Sequence, residues 1–338
     1  MAGGATSPKL VSCVSNNGGL GFIGAGFMSG EELNQHITKT KALTKEPFGV
    51  NLFIQKSLGE YKVSENTKRV LRKIANRIGA KDPCFSEAVP NFLEEQLSVL
   101  TANPVPVVSF TFGSLDGERI RKLKQCGIKI MGTATSVEEA KFLALQQVDA
   151  IIAQGFEAGG HRGSFLLNEK GCFAKVGSLS LVPQVVDAIE LPVIASGGIS
   201  DGRGILAAIA LGAEGVQIGS AFLTTNEAQG NTQMKERLVN SPDTSTVLTR
   251  TLTGKWARGI ENELIREIEE SKIAIPPYPV MHQITGSIRS KAQEKGDTEK
   301  MSLWAGQSSS LSKRESVEEA FNRFLMEYNQ SLETLKSL

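Results

Sequence analysis

Short, nearly continuous apolar runs bounded by glycine recur along the chain: LGFIGAG (20–26), FGVNLFI (48–54), VPVVSFTFG (105–113), IKIMGTATS (128–136), DAIIAQG (149–155), LPVIASGGI (191–199) and EGVQIGSAFL (214–223). A parallel strand covered on both faces has this character, because neither row of its side chains meets water. Between the runs lie SGEELNQHITKTKALT, SENTKRVLRKIANRIGA, GERIRKLKQCG, SVEEAKFLALQQ, SLVPQVVDAIE and DGRGILAAIALGA, whose apolar residues recur at helical spacing. The alternation of strand and helix from residue 10 to residue 223 predicts a parallel α/β fold.

A doubly wound sheet and a closed (β/α)8 TIM-type barrel both fit that rhythm. Seven strands are visible, one fewer than the barrel needs. The opening MAGGATSPKLVSCVSNNGG reads as a loop and a helix ending at a Gly-Gly cap, and such a helix ordinarily follows a strand. The expectation is therefore a barrel whose first strand is missing, its place lying immediately before Met1. After residue 223 the rhythm stops. TQMKERLVNS, ARGIENELIREIEES, ITGSIRSKAQEKG and SVEEAFNRFLMEYNQSLETL read as helices separated by IPPYP and LWAGQSSS. Residues 1–223 are expected to form the barrel and residues 224–338 a helical extension packed near its active face. Trp256 and Trp304 both fall in the extension and read as anchors for that packing.

Composition narrows the function more than the fold. A formal net charge of +1 leaves no electrostatic footprint for nucleic acid, and no block of like charges marks a membrane-binding face. Cys13, Cys84, Cys126 and Cys172 are widely spaced, so neither a zinc site nor a redox dithiol is signalled. No apolar run approaches a spanning helix, and the first residues lack the pattern of a secretory signal, so a cytoplasmic enzyme of small molecules is the expectation.

The glycines indicate where that chemistry sits. Gly19, Gly21 and Gly24 match G-x-G-x-x-G, but they close a helix and enter a strand, the reverse of the dinucleotide-binding context. SGGISDGRG (196–204) runs from a strand into a helix, and QIGSAF (217–222) leaves the next strand. Loops after the last two strands of a barrel share a phosphate site built from backbone N–H groups and a helix N-terminus. Gly197, Gly198 and Gly219 would let the backbone approach the anion, and Ser220 adds a hydroxyl. AQGFEAGGHRG (153–163) leaves an earlier strand on the same face and carries one of only three histidines. His161 is the candidate base, with an unperturbed pKa of about 6.5 and Arg162 beside it favouring the neutral form. Glu157 is either an ordinary loop acid or an orienting partner of His161. Asn51 and Gln154, at strand ends, suit hydrogen bonds to a heterocycle. His36 and His282 lie outside any such glycine-rich loop.

MAGG, NNGGLGFIGAG, FGVN, SFTFG, GTATS, AQGFEAGGHRG, ASGGISDGRG, GVQIGSAFL, GKWARGI and WAGQ, in that order, resemble the FMN-dependent nitronate monooxygenases, formerly called 2-nitropropane dioxygenases. The resemblance implies FMN, its phosphate held by Gly197, Gly198, Gln217, Ile218, Gly219 and Ser220, with Asn51, Gln154, Gly159 and Gly160 at the flavin and His161 as catalytic base. It also implies a strand ahead of MAGG. The implied reaction takes an alkyl nitronate, or a nitroalkane, with O2 to a carbonyl compound and nitrite, without nicotinamide. Around EAGGH and the following GG loop the chain also resembles FMN-dependent enoyl-ACP reductases, which use NAD(P)H. That activity, and a flavin-binding protein with little turnover, stay open, as does a homodimer.

Overall fold

A computed structural model describes residues 2–55, 58–86, 89–169 and 172–337. Its strands are β1 (Gly21–Gly24), β2 (Phe48–Phe53), β3 (Val107–Thr111), β4 (Lys129–Ala134), β5 (Ala150–Gln154), β6 (Gly160–His161), β7 (Val193–Ser196), β8 (Gly215–Gln217), β9 (Thr246–Thr249) and β10 (Ala257–Ile260). The first seven helices are α1 (Pro8–Asn16), α2 (Gly30–Leu43), α3 (Glu65–Ile78), α4 (Leu93–Ala102), α5 (Gly117–Gln125), α6 (Val137–Leu145) and α7 (Ser178–Val186). Six more follow: α8 (Gly202–Ala210), α9 (Ser220–Leu223), α10 (Thr232–Val239), α11 (Glu263–Glu270), α12 (Val280–Lys295) and α13 (Val317–Lys336).

Seven strands form one parallel sheet in the order β1-β2-β3-β4-β5-β7-β8, curled in the manner of a TIM-type barrel. These are the seven that the apolar runs predict. Among the described residues β1 and β8 do not pair with each other. Met1 and the place of the expected preceding strand lie outside the described residues. Register brings the polar strand ends level: Asn51 pairs with Gly24 on one side and Ser109 on the other, and Ser196 with Gln154 and Gln217. The C-terminal edge of the sheet is therefore a polar rim above an apolar barrel interior.

Local signals set the helix starts. Ser29 and Glu32 form a reciprocal capping box at α2, and Ser64, Asp116, Ser136 and Asp201 each accept a backbone N–H at α3, α5, α6 and α8. The main core packs Val50, Val108, Phe110, Ile130 and Ile151 under the covering helices, all without exposed surface. Gly19 follows α1, and Gly21 and Gly24 are the first and last residues of β1, so these glycines do not open a nucleotide-binding helix. A side chain at Gly21 would strike the Val11 backbone, so close helix–strand packing accounts for that glycine.

The extension differs from a set of helices. β9 and β10 pair antiparallel, and β10 also pairs with β6, so a second sheet of three strands ties the extension to the loop carrying His161. ARGIENELIREIEES divides accordingly: ARGI is strand β10, and Asn262 caps the helix that follows. A second apolar cluster joins Leu71 and Ile74 of α3 to Leu264, Ile268, Ile284 and Ile288 of α11 and α12. A third seats Val317, Ala320 and Phe324 of α13 against Leu10 of α1 and Phe222 of α9. The run at 214–223 stops being a strand after Gln217, because Ser220–Leu223 turns into α9. No described helix is long and apolar enough to cross a membrane.

Candidate active site

A cavity of about 1030 Å3 opens at the C-terminal rim of the sheet and is lined by Asn51, Gln154, His161, Gly198, Ser220 and Trp304, among others. All ten candidate binding residues and the candidate base line this one cavity. The structure thus gathers Asn51, Gln154, Gly159, Gly160, His161, Gly197, Gly198, Gln217, Ile218, Gly219 and Ser220 from five separate stretches of chain.

His161 sits where β6 pairs with β10, opposite Ala257, so the second sheet fixes its backbone. Its ring is surrounded by aromatic neighbours: Phe53, Phe112, Tyr278 and Trp304 lie 5.9, 5.8, 5.7 and 5.6 Å away between ring centres. Burial among them pushes its pKa from 6.5 down to about 3, helped by the positive charges of Lys255 and Arg289. The neutral form is therefore favoured, as expected, but not by Arg162. That guanidinium is buried and donates to the backbone carbonyls of Gln154, Gly155, Thr135 and Ala174. Its task is to hold the loop together. Nor does Glu157 orient His161: its carboxylate accepts from the Ser178 N–H and hydroxyl at the start of α7.

The partner of His161 is Thr253, whose Oγ1 lies 3.0 Å from Nε2. The Thr253 oxygen also accepts from the Lys255 N–H at 3.4 Å, and we assign its hydroxyl hydrogen to the Lys255 carbonyl at 3.2 Å, which leaves a lone pair to accept from the ring. That assignment puts the imidazole proton on Nε2. Nδ1 then carries the lone pair, and no hydrogen-bond partner engages it among the described residues.

Gln154 is less free than a strand-end amide might be. Its Nε2 donates to the His161 carbonyl at 3.1 Å and its Oε1 accepts from the Gly163 N–H at 2.8 Å, so it shapes the histidine loop. Asn51 spends its amide hydrogens on Ser109 and Thr111 at 2.9 and 3.3 Å, which leaves Oδ1 as an acceptor on the cavity side. Gly160 takes φ +71 and has open space where a Cβ would be. Gly159 is needed for another reason: a side chain there would strike the backbone of Ala305 and Gly306.

At the other end of the cavity Gly197 and Gly198 hold φ +101 and +76, a conformation that L side chains rarely adopt. Ser220 Oγ accepts from the Gly306 N–H at 2.9 Å, and its own hydrogen remains to donate. The helix N-terminus expected to share in a phosphate site is already occupied. Asp201 accepts from Gly204 N–H at 2.9 Å and Glu327 from Gly202 N–H at 3.0 Å, so the start of α8 presents two carboxylates. That leaves the Gly197 and Gly198 backbone N–H groups and the Ser220 hydroxyl hydrogen uncommitted, among the described residues, at this end of the cavity.

Several residues around His161 were not singled out by the sequence. Phe112, at φ 80, is a bulky residue in the left-handed region, and the Lys255 ammonium lies 4.3 Å over its ring. Strain of that kind is concentrated at functional sites. Tyr278 and Trp304 come from the extension, and Trp304 packs against the second apolar cluster, as an anchor should, while also lining the cavity beside His161. Trp256 is 39% exposed. His282 also lines the cavity, stacked on Phe27 with ring centres 3.9 Å apart. His36, by contrast, is on the outside of α2, bonded to the Glu32 carbonyl at 2.9 Å.

Comparison with known proteins places this arrangement. The family model for nitronate monooxygenase matches residues 1–327. A probable nitronate monooxygenase of Staphylococcus aureus strain MRSA252 is 42% identical over 332 residues, covering 98% of this chain and 93% of that protein. Among solved structures, a nitroalkane oxidase from Streptomyces ansochromogenes superposes with a TM-score of 0.92 at 36% identity, covering 99% of this chain and 95% of its own. FabK from Thermotoga maritima follows the same course with a TM-score of 0.79 at 30% identity, covering 100% and 93%. Matched from its first glycine loop through α12 and most of α13, the chain belongs to the nitronate monooxygenase family.

Proposed function

We propose that this protein binds FMN and oxidises alkyl nitronates with O2 to a carbonyl compound and nitrite, and that His161 removes the C–H proton when a neutral nitroalkane is the substrate. The observation that carries the reading is the position of His161, buried among aromatic rings with Nε2 held by Thr253, at one end of a cavity whose other end is built of glycine loops.

The residues present suit a flavin mononucleotide. The cavity volume is just above the usual range for small-molecule and cofactor sites. Gly197, Gly198 and the Gly219–Ser220 turn would hold the phosphate, Asn51 Oδ1 would accept from a ring N–H, and Gly160 leaves a flat face uncrowded. Bound flavin supplies the electron acceptor that links nitronate oxidation to O2.

The chain's own contributions follow from the geometry. Phe53, Phe112, Tyr278 and Trp304 exclude water around His161, which strengthens every polar interaction there. Thr253 holds the ring with Nδ1 available. A base with a pKa near 3 is weak toward an isolated proton. Proton removal from a nitroalkane, however, creates an imidazolium and a nitronate together, and the new anion offsets the charge that burial disfavours. A preformed nitronate needs no such step. The family assignment favours this reaction over enoyl-thioester reduction, the activity that the EAGGH and GG loops leave open.

Three measurements test the proposal. Heat-denatured protein should release FMN and not FAD, and turnover of ethylnitronate should yield acetaldehyde and nitrite while consuming O2. Oxidation of NADPH with an enoyl thioester, without nitrite from the nitronate, would replace this reading with the reductase.

A further inference from the structure

Arg289 on α12 is a deeply placed cation in the same cavity, and no carboxylate pairs with it among the described residues. Its bonds can be followed donor by donor. Nε donates to Thr285 Oγ1 at 3.1 Å, Nη2 to His282 Nδ1 at 3.2 Å and to the His282 carbonyl at 2.9 Å, and Nη1 to Ser302 Oγ at 3.4 Å. A guanidinium has five N–H groups, so one on Nη1 is left over. Every partner found is neutral, and burial lowers the arginine's pKa to about 10. The protein thus holds a positive charge in a weakly polar space, pinned in orientation, with one donor unspent.

The charge also lies near the base. Its field reaches both His161 and His282, and His282 stacks on Phe27, which in turn lies 6.5 Å from His161 between ring centres. Arg289 is thus associated with the histidine end of the cavity. An arginine is donor-only, so the His282 nitrogen facing it must be unprotonated; the pair keeps His282 neutral and adds no second cation.

We infer that Arg289 is the anion-binding residue of this cavity, donating its free N–H to an oxygen of a planar oxyanion, the nitro group of the nitronate substrate. The inference rests on the nitronate chemistry proposed above and adds the residue that lets the site prefer the charged nitronate to its neutral nitroalkane. A buried charge–charge hydrogen bond is suited to that discrimination, because the neutral form gains little from it.

The test uses the flavin-loaded protein and its Arg289→Gln and Arg289→Lys variants, with nitrate as an inert planar anion. Nitrate binding is read by calorimetry, and KM is measured for ethylnitronate and nitroethane. Arg289→Gln should weaken nitrate binding and raise the nitronate KM by about 10- to 100-fold, the scale of a charge-assisted bond, while the nitroethane KM changes by less than about threefold. Arg289→Lys should recover part of the nitrate affinity. Equal nitrate affinity in wild type and Arg289→Gln would overturn the inference, as would loss of flavin with both KM values rising together, which would assign the charge to the cofactor. Should Arg289→Gln fail to fold, the wild-type titration decides, because absence of nitrate binding at millimolar concentration overturns the inference. Nitrate binding requires no turnover. A protein that binds nitrate through Arg289 yet does not oxidise nitronates would therefore contradict the proposed reaction and leave the anion site standing.

Discussion

Thr253→Val removes one oxygen and nearly preserves shape, and its effect should depend on the substrate. The hydroxyl lies 3.0 Å from His161 Nε2, from which it accepts in the tautomer assigned above, and Thr253 is 1% exposed. Without it a buried N–H loses its acceptor, at a cost of about 1–3 kcal/mol. The imidazole can avoid that cost by moving its proton to Nδ1, the nitrogen needed as the base. A penalty of that size corresponds to a tautomer shift of about 5- to 150-fold, and the rate on a neutral nitroalkane should fall by the same factor. The rate on the preformed nitronate should change little, since no proton need leave. The assay is nitrite release from nitroethane and from ethylnitronate. Nitrogen chemical shifts of labelled histidine report the tautomer directly, and Thr253→Ser serves as the control that keeps the hydroxyl. Equal losses on both substrates, or a variant with the proton still on Nε2 and the nitroethane rate depressed, would refute the reasoning.

Replacing the base itself, as His161→Asn, should cost about 10²-fold or more on nitroethane and much less on ethylnitronate, read as kcat/KM for each. Acidification should destabilise the folded protein through the same residue: unfolded histidine binds its proton below about pH 6.5, whereas His161 does so only near 3. Between those values the unfolded state holds more protons, so His161 should cost about 2 kcal/mol at pH 5 relative to neutral pH, and His161→Asn should flatten the pH dependence of the urea midpoint accordingly. Gly198→Val places a β-branched residue at φ +76 in the phosphate loop, so flavin content after purification should fall sharply while a natural-sequence control stays loaded.

The fold was legible because a parallel sheet covered on both faces leaves a coarse sequence record. All seven apolar runs contain their strands, but their ends were overrun. At 191–199 and 214–223 the loop beyond the strand continues in small apolar residues, since Ile199, Ala221 and Phe222 are buried too. α4 (Leu93–Ala102) is an additional helix between β2 and β3, which breaks the strict one-helix alternation that the apolar runs suggest. The glycine loops were legible at the site for a local reason: positive φ at Gly197 and Gly198 restricts the residue type wherever the chain folds. The opposite wall was not. Thr253, His282, Arg289 and Trp304 are brought to His161 by β10 pairing with β6 and by α12 packing on α3, a meeting of distant segments that spacing along the chain does not encode. Arg289 is the clearest case, for its lack of a carboxylate partner is a property of the packed cavity and not of the residues around it in the chain.

Anaerobic mixing of the purified, flavin-loaded protein with ethylnitronate separates flavin reduction by the substrate from reduction by nicotinamide. With O2 and nicotinamide absent, the visible flavin absorbance should bleach, and admitting O2 should restore it with release of nitrite. A flavin spectrum unchanged by the nitronate but bleached by NADPH would contradict the proposed reaction.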